Sequence, residues 1–202
     1  YFELSVILLA TILIYSLGCY SGNLVSAAES EKYLFAVKIG TIGADDGEFN
    51  IPHTIAFDLS GNMYVTDTKN ARVQKFDSNG TFLTKWGTFG TNDGQFSRHV
   101  HGIAVDSENN VYVTDRDHSN IQKFDSNGTF LHRWGSTGRD DGKFMQPHST
   151  AIDSKGNMFV SDMNNYRIQK FDSNGTFLAK WGERGTSDGQ FMKMNRDRKS
   201  VV

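Results

Sequence analysis

The chain has little of what usually stabilises small or basic folds. Its single cysteine, Cys19, excludes a disulfide framework and any cysteine-built zinc cluster. Charge of one sign is also missing: 21 Lys and Arg against 23 Asp and Glu give a net charge of −2 over 202 residues. That balance excludes the strongly basic face of a nucleic-acid binder, so no nucleic-acid partner is expected. No apolar pattern of helical period runs through the chain beyond Glu31. Nucleophile elbow, phosphate loop and paired-histidine metalloprotease motifs are absent as well. Proline occurs only at Pro52 and Pro147, whereas glycine is frequent at 20 residues and phenylalanine supplies 15 more for a core.

Long hydrophobic runs are confined to the N-terminus. Val6 to Leu17 carries no charge and lies in an uncharged stretch from Leu4 to Ala28 that ends in Ser26-Ala27-Ala28. An apolar core of this length before small residues is the pattern of a signal peptide over residues 1–28. The other reading is an uncleaved N-terminal membrane anchor, although a span needs about 20 apolar residues. Either reading places the remainder outside the cell or on its surface.

Internal repetition organises everything after Glu31. FDSNGTFL occurs verbatim at 76–83, 124–131 and 171–178, and Trp86, Trp134 and Trp181 stand 48 and 47 residues apart. A period in this range marks a solenoid, propeller or array. Each unit contains four strand-like runs, in the first copy Thr54–Phe57, Met63–Thr66, Val73–Phe76 and Thr81–Trp86. Asn79-Gly80 between the last two is a strong hairpin signal, with both residues expected at positive φ. Four short antiparallel strands per unit describe a propeller blade. The expected fold is therefore all-β, with blades at 40–86, 87–134 and 135–181. A broken fourth unit follows at 182–202, and an orphan outer strand precedes the blades at 33–39.

The repeated residues resemble the NHL repeat. The first copy runs Pro52, Ile55-Ala56-Phe57-Asp58, Gly61-Asn62-Met63-Tyr64-Val65-Thr66-Asp67, Asn70-Ala71-Arg72-Val73-Gln74-Lys75-Phe76 and Gly80-Thr81-Phe82. The third keeps Pro147, Asp153, Gly156-Asn157, Asp162, Asn165 and Arg167. The resemblance covers about residues 33–191 and implies a β-propeller, usually six-bladed, with the Ile-Ala-x-Asp strand innermost. On that count the chain is a partial arc of about three blades. A fragment of a longer gene is expected, with self-association through open propeller edges as the alternative. The second copy departs from the pattern, with Val100, Asn109, His118 and Asn120 in place of Pro52, Gly61, Asn70 and Arg72, and one extra residue between Phe96 and Asp106. Drift, or loops that face a ligand, would both account for it.

Most repeated polar positions read as structural. Asp67 and Asp162 precede Arg72 and Arg167 by five residues, the spacing of an ion pair tying strand end to loop. The Asp-Gly steps at Asp46, Asp93, Asp141 and Asp188 are turn chemistry, and no calcium-loop spacing is present. Asn79, Asn127 and Asn174 each fit an N-glycosylation sequon on a hairpin tip. Lys-Trp-Gly and its Arg133-Trp134 variant suit packing between neighbouring blades.

The histidines carry the sharper signal. His53, His101 and His148 each start the innermost strand of their blade, five residues before its closing Asp. All three should reach the same end of a central channel, and three neutral imidazoles with an open fourth position make a zinc site. The NHL family includes the peptidyl-hydroxyglycine amidating lyase, which the resemblance implies binds axial zinc through histidines in segments like Pro52-His53 and Pro147-His148. Its ligands come from alternating blades, these from consecutive ones, and its catalytic Tyr and Arg have no match here. The competing reading is structural filler bonding loop backbone. No catalytic residue is assigned. The leading functional expectation is an exported, non-enzymatic scaffold that binds a protein, peptide or glycan. A zinc-dependent channel-site enzyme and the sensor ectodomain of a longer receptor are the alternatives.

Overall fold

A computed structural model describes residues 38–192. The chain divides into two units, Tyr1–Ile39 and Gly40–Val202, and every element named below belongs to the second. The expected leader at 1–28 and the residues after Met192 lie outside the described residues. So does the expected strand 33–39, except for Lys38 and Ile39, which are not in a strand.

Twelve strands form three four-stranded antiparallel sheets, each in sequential order. The first contains β1 (Pro52–Phe57), β2 (Met63–Asp67), β3 (Arg72–Phe76) and β4 (Phe82–Trp86). The second contains β5 (Val100–Val105), β6 (Val111–Asp115), β7 (Asn120–Phe124) and β8 (Phe130–Trp134). The third contains β9 (Pro147–Ile152), β10 (Met158–Asp162), β11 (Arg167–Phe171) and β12 (Phe177–Trp181). These are blades of an open, unclosed β-propeller.

The second strands β2 and β6 are buried on both faces, whereas in β10 Phe159 and Ser161 are only partly buried. Along β2 the period of two sends Tyr64 into a core with Val100, Ile103, Val111, Val113 and Phe124 of the next blade. One blade on, Tyr112 packs with Phe144, Met158, Val160 and Phe171. Each such large side chain stabilises by about 1.5–3 kcal/mol when fully buried. Inter-blade packing therefore holds the arc together.

The β3–β4 hairpin differs from the two-residue Asn-Gly turn expected from sequence. Only the glycine takes positive φ, 84° at Gly80, 89° at Gly128 and 83° at Gly175. The reason is Asp77, whose carboxylate accepts the N–H groups of Asn79 (2.9 Å) and Thr81 (2.8 Å) while its carbonyl accepts that of Gly80 (3.0 Å). An aspartate-anchored loop thus replaces the mirror-image turn. Bonds from Thr81 and Asn79 hold the Asp77 carboxyl below the usual range.

Those glycines have a second duty. A Cβ on Gly128 would lie 2.5 Å from the Trp86 ring, and one on Gly175 would lie 2.6 Å from Trp134. The hairpin tips of the second and third blades are therefore the seats for the tryptophans of the blades before them.

Candidate metal centre at the inner strand starts

The loop that leads into each inner strand is tied down by the Asp closing the second strand. Arg72 Nε donates to Asp67 Oδ2 at 2.7 Å, while its Nη atoms donate to the carbonyls of Ala44, Asp45 and Glu48 at 2.7–2.9 Å. Asp67 also accepts the Asn50 N–H and the Asn70 amide, so its oxygens are consumed by protein donors. Arg167 repeats the arrangement with Asp162 and the carbonyls of Arg139, Asp140 and Lys143. In the second blade Asn120 cannot do this. There Asp115 instead accepts Ser97 N–H (2.7 Å), Ser97 Oγ (2.6 Å) and the His118 ring (2.9 Å).

A β-bulge then sets the histidine in every blade. Pro52 pairs with Asp67 and Ile55 with Val65, so His53 and Thr54 together oppose Thr66. His101 and Gly102 oppose Thr114, and His148 and Ser149 oppose Ser161, in the same way. Two residues against one twists the strand locally and redirects a side chain. The bulge N–H groups are met by the opposing hydroxyl, Thr54 by Thr66 Oγ1 (3.0 Å) and Ser149 by Ser161 Oγ (2.9 Å). Gly102 has a further role: a Cβ there would stand 2.9 Å from His148 O and Thr150 N. Its absence lets β5 and β9 approach closely where two of the histidines start.

The three imidazoles converge. One ligand nitrogen from each of His53, His101 and His148 lies within 4.8 Å of the others. His53 and His101 stack with centroids 4.1 Å apart, and His148 meets them edge-on at 5.1 and 4.6 Å. His53 Nδ1 is bonded to Thr54 Oγ1 and His148 Nδ1 to Ser149 Oγ. His101 is 6% exposed, and its Nδ1 is buried without a hydrogen-bond partner. Burial, with His53, His148 and the Arg116 guanidinium nearby, pushes its pKa down to about 3. It is therefore neutral at ordinary pH, the form that ligates metal. A buried ring nitrogen with nothing to bond is costly unless a ligand meets it, and here the donor set fits a metal ion.

Other features fall elsewhere. Asn79, Asn127 and Asn174 are exposed on their hairpin tips. At the opposite end of the inner strands a depression of about 180 Å³ is lined by Phe57, Asp58, Val105, Asp106, Ile152 and Asp153. Its carboxylates are already used: Asp58 accepts from Ser60, Asn62 and Tyr64, for example.

Sequence reasoning missed the groups around the histidines. Lys69 Nζ donates to His99 Nε2 (3.2 Å), which leaves His99 Nδ1–H to donate to Asp117 Oδ2 (2.5 Å). Arg116 reaches across to Gln146 Oε1 in the next blade (2.9 Å). These positions are occupied differently in every blade, so no repeat pattern marks them.

Comparison with known proteins agrees with the architecture. Residues 20–140, more than half of the chain, match the SMP-30/Gluconolactonase/LRE-like region, and residues 144–171 match the NHL repeat. The chain belongs to the family of the SMP-30/Gluconolactonase/LRE-like region and carries an NHL repeat in its third blade. Human NHL repeat-containing protein 3 is 33% identical to this NHL chain over 69 residues, 34% of the chain and 20% of that protein. The Drosophila melanogaster protein brain tumor is 33% identical over 70 residues, 35% of the chain and 7% of that protein. The matches thus span a fifth or less of these relatives. Among solved structures, Kuenenia stuttgartiensis hydrazine synthase superposes with a TM-score of 0.54 at 10% identity, covering 73% of this chain and 39% of that one. A catalytically inactive virginiamycin B lyase from Staphylococcus aureus with quinupristin gives 0.51 at 13%, covering 66% and 41%. These likenesses extend to the fold.

Proposed function

We propose that this NHL propeller is a ligand-binding scaffold whose recognition site is a zinc ion held by His53, His101 and His148 at one end of the inner strands. The observation that carries the reading is the convergence of one ligand nitrogen from each of three histidines within 4.8 Å, beside a His101 ring whose buried Nδ1 has no hydrogen-bond partner. Three neutral imidazoles suit zinc, whose tetrahedral shell keeps one position open for an incoming ligand. Zinc–nitrogen bonds of about 2.0–2.1 Å put ligand nitrogens roughly 3.3 Å apart, a contraction that side-chain torsions can supply. When bound, the metal would act as a Lewis acid toward the ligand's oxygen; the chain's own part is to hold three imidazoles in register by identical bulges. The uncharged stretch from Leu4 to Ala28 supports placing the site outside the cell or at its surface, where a protein, peptide or glycan would be the partner.

Calorimetric titration of the full chain with Zn(II) tests the reading. One equivalent should bind, and His53→Ala, His101→Ala and His148→Ala should each weaken binding by at least tenfold. Absence of binding, or binding that survives all three substitutions, would refute it.

A further inference from the structure

The surroundings of the three histidines carry an electrostatic signature. Arg116 lies between two of the strand starts: its backbone N–H donates to His99 O (3.1 Å), two residues before His101, and its side chain donates to Gln146, two residues before His148. Its Nε is buried with no hydrogen-bond partner. The carboxylates beside it in sequence are engaged elsewhere, Asp115 by Ser97 and His118 and Asp117 by His99. No carboxylate neutralises Arg116 among the described residues. Lys69 adds a second cation, held on His99 Nε2, and the His99 and His101 rings are 6.1 Å apart.

A guanidinium presents a planar fork of donors that matches carboxylate or phosphate oxygens, and an unused Nε–H leaves that fork one acceptor short. Where the first and third blades have Thr68 and Met163, this blade has the arginine. In the first blade Thr68 Oγ1 donates to Val100 O at 2.7 Å, so its one donor is spent in linking blades. Arg116 makes the equivalent cross-blade link to Gln146 and retains donors to spare. A metal on three neutral imidazoles, with no acidic ligand, would keep its full positive charge. With Asp117 held by His99, the cations at this end therefore favour an incoming anion.

We propose that Arg116, supported by Lys69, makes this end of the arc an anion site that holds a carboxylate or phosphate oxygen against the ion bound by His53, His101 and His148. The proposal rests on the metal reading above and adds the ligand's chemical class. Both anion sources share one chemistry, a planar or tetrahedral group of charged oxygens in which one oxygen accepts from Arg116 while another faces the metal.

The test uses the full chain loaded with Co(II), whose visible bands report changes in coordination, titrated separately with acetate and with inorganic phosphate. At least one anion should perturb the bands, and Arg116→Gln should weaken that anion roughly tenfold or more while leaving Co(II) affinity within about twofold. Arg116→Lys should recover part of the loss, and Arg139→Gln, an exposed arginine used only through its carbonyl, should change nothing. The tighter of the two anions identifies the source. Equal anion affinity in wild type and Arg116→Gln, or bands that respond to neither anion, would overturn the anion site and leave the metal reading standing. Failure of Co(II) to bind at all would overturn both.

Discussion

Arg72 shows how single residues hold this propeller. Its side chain is 7% exposed and binds Asp67, which is fully buried, plus three loop carbonyls. Removing one partner of a buried pair leaves the other charge unsatisfied, at a cost of about 3–5 kcal/mol. Arg72→Ala should therefore lower unfolding free energy by roughly that amount in urea denaturation. A loss within experimental error of zero would mean that the loop carries no stability. The Asp–Arg spacing was legible in the sequence because the repeat states it twice. Arg116 was not: it occupies a loop position that holds Thr68 and Met163 in the other blades, and its partner lies in the next blade. Repeat logic finds what recurs and is blind to what one blade does alone.

At the scale of strands, the period of two and the verbatim FDSNGTFL segments were enough to expect four strands per unit and to place those of the first blade, with edges shifted by one or two residues. Two element-level features were hidden. Asp77, Asp125 and Asp172 anchor the hairpins through backbone N–H bonds, a choice that the Asn-Gly pair alone does not reveal. The bulges at His53, His101 and His148 were equally silent, because the extra residue recurs in every copy and leaves the alignment of the repeats unchanged. Gly102 tests their importance. Its backbone needs no positive φ, so alanine there meets only the close approach of β9. Gly102→Ala should push β5 from β9 by a few tenths of an ångström and weaken metal binding about tenfold, as read by zinc titration. Unchanged affinity would show that the register of the inner strands does not set the site.

For the whole molecule, the tryptophan series is decisive. Trp86 is 9% exposed against the next blade, whereas Trp181, its counterpart two blades on, is 47% exposed beside Phe159. The third blade thus shows solvent the same kind of face that its predecessors bury. Uncovered apolar faces promote association, so the chain should self-associate with concentration in sedimentation velocity, and Trp181→Ser should reduce this. Indifference to the substitution would place any association elsewhere. The propeller class was readable from the period, and the three candidate metal ligands from one histidine per blade at one register. Their convergence into a single cluster required the blades to be assembled.

X-ray absorption at the zinc edge of the loaded full chain addresses the central claim most directly. Three imidazole nitrogens and one oxygen ligand at about 2.0–2.2 Å are predicted. A shell with fewer than three imidazoles, or one dominated by carboxylate oxygen, would contradict the account.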